Sequence, residues 1–190
     1  MKRRLDQFVL ILATAGLCWL GMQAVHELGH VLAALAGGES VRKVVLHPMA
    51  ISRTDASHDR HPLLVIWGGP IAGVVLPLAA LAVARALRSG LFYLFQFFAG
   101  FCLIANGAYL GVGSFVGVGD AGDLLQHGAP QGLLILFGLL CFPAGLILWN
   151  GLGPHFGLGA SRGRVDRCAV LWSLGLLLVI VLAEVVAGSR

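Results

Sequence analysis

The sequence predicts an all-α, polytopic membrane helix bundle of about five spans, with a short strand or hairpin allowed after the first helix. Two observations carry this. Of 190 residues, 58% are hydrophobic and only 12% are charged, with a mean hydropathy of +0.88, whereas a soluble domain carries about 25% charged residues. So little charge cannot cover a water-exposed surface. The apolar residues also fall into five stretches, at about 5–35, 63–86, 91–110, 132–150 and 169–186. Each is near the roughly 20 residues that a helix needs to cross a bilayer. The length suits one integral membrane domain over 1–190, with a core at about 5–125 and two further helices at about 131–187.

The first stretch opens on Lys2, Arg3 and Arg4 in the manner of a signal peptide. It runs too long and has no small-residue cleavage site followed by a polar region, which predicts a retained helix. The connector 37–61 is the longest. Within it, 41–52 alternates Val41, Val44 and Leu46 with Arg42, Lys43 and His47, the pattern of a strand or hairpin near the membrane surface. The second stretch contains Gly68-Gly69-Pro70 and Pro77, breakers that membrane helices tolerate where neighbours satisfy the freed carbonyls. A break at Gly68–Pro70 is expected. The third decays into Gly111, Gly113, Gly117 and Gly119, which predicts a flexible or extended tail. Cys18, Cys102, Cys141 and Cys168 lie in apolar segments without ligand-like pairing and read as packing residues. The net charge of +4 comes from residues at the ends of apolar runs. No basic stripe with interleaved aromatics exists, so no nucleic-acid partner is expected.

Chemistry enters with His26-Glu27-Leu28-Gly29-His30. Helical residues four apart share one face, so His26 and His30 can direct two imidazole nitrogens at one ion. Glu27 stands beside them as a base for water, whose pKa a zinc ion lowers to about 7. With seven histidines and three glutamates in the chain, about 0.004 chance matches to this pattern are expected, so the signal is specific. Ionisable groups within one turn of an apolar helix are costly and mark a functional site; the plain alternative is a helix end with surface histidines. Eighteen steps from Phe8 to His26 make about 27 Å of helix, which places the pair within hydrocarbon depth near the far face.

A catalytic zinc takes three protein ligands. Asp120 and Asp123 follow the third apolar stretch. If the spans alternate in direction, both emerge on the face that carries the histidines. His155, after the fourth span, falls on the opposite face. His47 and His127 lie on the right face but in connectors, where a solvated loop is the simpler reading. Asp123 also has a plain reading, as the cap of a helix starting near Leu124. Glu184 belongs to the last span, facing the boundary or a packed polar neighbour.

With the histidine motif in an early span and Gly119-Asp120 after a later one, the chain resembles the site-2 protease family of intramembrane zinc metalloproteases, in its short, compact members. The resemblance covers about 23–125. It implies one Zn²⁺ per chain held by His26, His30 and Asp120, Glu27 as general base, and hydrolysis of peptide bonds in or near the spans of membrane-protein substrates. The expected setting is the lipid bilayer of a bacterial-type cell membrane. Two departures stand out. Gly69-Pro70-Ile71-Ala72-Gly73 has Gly73 where the family has Asn, and Asp120-Ala121 replaces Asp-Gly. Asn106 is a plausible upstream Asn, able to orient a ligand, support an oxyanion or simply pack. These departures motivate the alternative of a catalytically inactive metal-binding scaffold. A metal transporter of the zinc-permeating ZIP type is the other, though helices two, four and five offer almost no polar groups for a path. Backbone after Gly37, or at Gly68–Pro70, is expected to hold an unwound substrate as an added strand. Orientation is drawn two ways. Eight Lys and Arg on the N-terminal side against five opposite favour a cytoplasmic N-terminus, while the resemblance implies the reverse.

Overall fold

The computed structural model describes residues 2–48, 52–57 and 60–188. Met49–Ile51 of the expected strand region, and Arg190 of the charge comparison, lie outside them. The order of elements is α1 (Lys2–Ala36), β1 (Val41–Val45), β2 (Arg53–Ala56), α2 (Pro62–Ala86), α3 (Phe92–Val116), α4 (Gly119–Gln126), α5 (Gln131–Trp149) and α6 (Arg167–Gly188), with 3₁₀ turns at Gly153–Phe156 and Gly159–Ser161. Among the described residues, α1, α2, α3, α5 and α6 are long and apolar enough to cross a membrane. This is the expected bundle of five spans. Its outer surface is lined with exposed leucine, valine and phenylalanine, as a lipid-facing surface requires.

Glycines decide how closely the spans approach. At the crossing of α1 and α2, a Cβ added to Gly68 would lie 2.5 Å from Ala33 Cβ and 2.6 Å from Gly29 O. Only hydrogen fits there, so the two backbones touch beside His30. Small residues permit such contacts where no hydrophobic force acts between helices in lipid. The same device joins α3 to α5. A Cβ on Gly138 would meet Gly107 O at 2.8 Å and Gly111 Cα at 2.9 Å.

These contacts correct two expectations. The glycines after Leu110 do not form an extended tail: α3 continues to Val116, because Gly107 and Gly111 pack onto Gly138. The helix stops at Gly117, whose φ of +70° suits glycine and whose N–H bonds Gly113 O. Nor is α2 broken at Gly68–Pro70. It runs unbroken from Pro62, a residue suited to the first helical position, through Pro70 and Pro77. Gly68 there serves the crossing with α1.

The remaining elements frame these pairs. α6 lies alongside α1, with Arg167 Nε 3.3 Å from Asp6 Oδ2 and Leu177 against Gly16. β1 and β2 pair antiparallel, Val44 with Thr54 and Val45 with Arg53. The hairpin's second strand therefore begins just beyond the stretch that alternates in sequence.

Candidate metal centre

Three side chains converge where α1, α2, α3 and α4 meet. His26 Nε2 lies 2.8 Å and His30 Nε2 3.3 Å from Asp120 Oδ2, and the two Nε2 atoms are 3.1 Å apart. Among the described residues these three form the group able to hold a metal ion. Both histidines are buried.

The other ring nitrogens determine what this cluster wants. His30 Nδ1 lies 2.8 Å from Val65 O, a carbonyl that can only accept, so Nδ1 carries the proton. Asn106 spends its amide N–H on Cys102 O at 2.9 Å and turns Oδ1 to His26 Nδ1 at 2.8 Å. That nitrogen donates as well. In the neutral form, both rings therefore direct an Nε2 lone pair at the Asp120 carboxylate. Three electron-rich atoms so close repel one another unless a proton or a cation lies among them. Hydrogen-bonded outer nitrogens of this kind are the usual support for metal-binding histidines.

The set fits zinc. Bonds of about 2.0–2.2 Å at tetrahedral angles place donor atoms about 3.3 Å apart. The His30 separations lie within a few tenths of an ångström of that value, and the His26–Asp120 distance is about half an ångström shorter. Gly69 of α2 forms the floor. A Cβ there would overlap His30 Nε2 and lie 2.8 Å from His26 Nε2, so only glycine leaves the nitrogens clear.

Glu27 is buried on α1 between the histidines, yet its carboxylate faces the hairpin. Ser52 Oγ donates to Oε1 and Thr54 Oγ1 to Oε2, each at 2.7 Å. Ser52 N–H also donates to Gln23 Oε1 at 3.0 Å. Gln23 and Glu27 are four residues apart on one helix face, and Ser52 and Thr54 two apart where β2 begins. The two periodicities match, and the hairpin is fastened to α1 at the glutamate.

Other sequence candidates fall elsewhere. Asp123 is exposed within α4, which begins at Gly119 rather than near Leu124, so Asp123 caps nothing; its carbonyl accepts from His127 Nδ1 at 2.8 Å. His155 stacks on Tyr93 at 4.5 Å, among residues of α3 and the 3₁₀ turns. His47 stands in the connector, outside the cluster. Glu184 is buried on α6, with Oε2 lacking a hydrogen-bond partner among the described residues. Asn106 does pack, but its amide also orients His26. It lies directly against Gly73, where a Cβ would meet its amide nitrogen and oxygen at 2.6 and 2.7 Å.

Sequence reasoning missed Ser52, Thr54, Val65 and Tyr109, and read Gly69 only as part of a helix break and of the Gly69-Pro70 element. The spacing of Gln23, Glu27 and His30, a polar stripe on an apolar helix, was the one local signal that a polar partner faced α1. No protein-family model, curated protein or solved structure matches this chain. The site stands on its own geometry.

Proposed function

We propose that this chain is an intramembrane zinc metalloprotease that hydrolyses peptide bonds in or near the spans of membrane proteins. The observation that carries the reading is the convergence of His26 Nε2, His30 Nε2 and the Asp120 carboxylate, with each Nδ1 held by a hydrogen-bond acceptor and Glu27 between the two histidines on the same helix. His26, His30 and Asp120 would hold the ion. Bound zinc would supply Lewis acidity, polarising a carbonyl and making water acidic near neutral pH.

The protein's own groups would do the rest. Glu27 takes a proton from the attacking water at a carboxylate oxygen and returns it to the leaving amine nitrogen as the C–N bond breaks. The two hydroxyl donors occupy one acceptor site on each oxygen, and each keeps a second lone pair for that proton. Asn106 and Val65 keep the rings aimed throughout. The β1–β2 hairpin, fastened beside the glutamate, offers a strand edge for an extended substrate. A bacterial-type cell membrane is the setting that this reading implies.

Glu27→Gln tests it. In proteoliposomes with a membrane-spanning substrate, the change should lower the cleavage rate by at least about 100-fold while zinc content stays at the wild-type level. Cleavage at an undiminished rate would remove Glu27 from the mechanism. Zinc bound tightly by a wild type that cleaves nothing would favour the scaffold reading instead.

A further inference from the structure

α4 carries Asp120 in its first turn, and that turn begins without help from its own cap. Val118 at the N-cap is extended and provides no side-chain hydrogen bond, and first-turn amides have no acceptor inside the helix. The acceptor comes from α3. Tyr109 Oη receives the Asp120 N–H at 3.0 Å. The neighbouring Gly119 has φ of +57°, and a Cβ there would overlap the Tyr109 hydroxyl. Glycine thus lets the phenol reach the backbone. The same tyrosine ring stands edge-on to His26, with centroids 5.9 Å apart and planes at 72°. Tyr109 is three residues from Asn106, one turn along the same face of α3.

One face of α3 therefore serves two ligands, through Asn106 on the His26 ring and through Tyr109 on the peptide of Asp120. We propose that Tyr109 is a positioning residue for the metal centre, whose hydroxyl fixes the first turn of α4 and so holds the Asp120 carboxylate against His26 and His30. This rests on the metal-centre reading given above. It assigns to the phenol a task that a local N-cap Ser or Asp performs in other helices. Here the tether runs to a different span, so the ligand's position is set relative to the helix that also orients His26.

Tyr109→Phe is the direct test, because it deletes one oxygen and keeps the ring on His26. Zinc affinity is measured by competition with a chromophoric chelator on purified full-length protein. The d–d spectrum of the cobalt-substituted protein and the melting temperature of the metal-free protein are recorded beside it. The expected result is a 10- to 100-fold rise in zinc Kd, the range for loss of a group supporting a ligand, with a changed cobalt spectrum and an unchanged metal-free melting temperature. Gly119→Ala, which crowds the same hydroxyl from the other side, should weaken zinc binding in the same direction. Wild-type affinity and cobalt spectrum in Tyr109→Phe would overturn the proposal. So would a loss of affinity matched by an equal loss of metal-free stability, since that describes a general packing defect. A wild type that binds neither metal would overturn the metal-centre reading itself, and this proposal with it.

Discussion

Gly69 lies on α2 immediately beneath the two imidazole nitrogens, and the space above its Cα is where one methyl group and one metal ion would compete. A Cβ there would lie 2.6 Å from His30 Cε1 and 2.8 Å from His26 Nε2, against an ordinary contact distance of about 3.5 Å. Gly69→Ala therefore forces the His30 ring back by at least about 0.9 Å. Metal–ligand distances tolerate only about 0.2 Å. Loss of support to a ligand weakens binding about 10- to 100-fold, and displacing a ligand outright should exceed the upper figure. Stability should move little. Alanine is favoured over glycine inside a helix by about 1 kcal/mol, which offsets part of an overpacking cost of about 1–3 kcal/mol. The assay is zinc stoichiometry by elemental analysis, with circular dichroism of the same samples and Gly90→Ala as control, since a Cβ at Gly90 meets nothing within 4 Å. Gly69→Ala should carry less than about a tenth of the wild-type zinc at unchanged helicity. Full zinc occupancy in that variant would mean that ion and methyl do not share this space, and the centre would have to be placed elsewhere.

Asn106→Leu removes the acceptor for His26 Nδ1 and should raise zinc Kd about 10- to 100-fold; an unchanged Kd in a competition titration would show that the amide does not orient the ring. Glu39 accepts from Ser57 Oγ at 2.6 Å, Arg60 N at 2.7 Å and His61 N at 3.1 Å, and these donors, Ser57 foremost, hold its pKa down to about 2. A carboxyl held below its unfolded value stabilises fully above about 4.5 and progressively less as pH falls towards about 2. Amide-exchange protection at Arg60 and His61 should fall through that window, and Glu39→Gln should abolish the dependence; protection that is flat with pH in the wild type would refute the account. Gly138→Ala should separate α3 from α5 at Gly107 and Gly111 at a cost of about 1–3 kcal/mol, and an unaltered unfolding midpoint in detergent would show that the contact is dispensable.

How far the residues foretell this structure depends on the range of the signal. The five spans were legible because composition over about 20 residues decides whether a helix enters lipid. His26 and His30 were legible because four residues is a local helical spacing. Asp120 was reachable through the alternation of spans, which uses only the count of crossings. The glycines after Leu110 were misread for a physical reason. A glycine in a loop and one pressed against another backbone look alike until the partner, here Gly138 on a later helix, is known. The same holds for Gly68 against Gly29 in the unbroken α2. Ser52, Thr54 and Tyr109 act on α1 and α4 from other elements, and nothing in their own neighbourhoods announces the task. The start of α4 at Gly119 rather than near Leu124 was hidden because its opening amide is satisfied by a hydroxyl of α3, not by a cap that local sequence would reveal.

The donors of the centre are unequally spread along the chain. Two come from adjacent turns of the first helix, while the Asp120 carboxylate follows His26 by 94 residues. A ribosome making this protein therefore exposes an incomplete pair long before the third donor exists. If the three donors hold a metal as proposed, tight capture would wait until the third helix is seated and the short segment after it has folded back. On the proposed reading, loading would report that the first three spans and α4 have been assembled, and a nascent or misfolded chain would be kept from hydrolysing its neighbours.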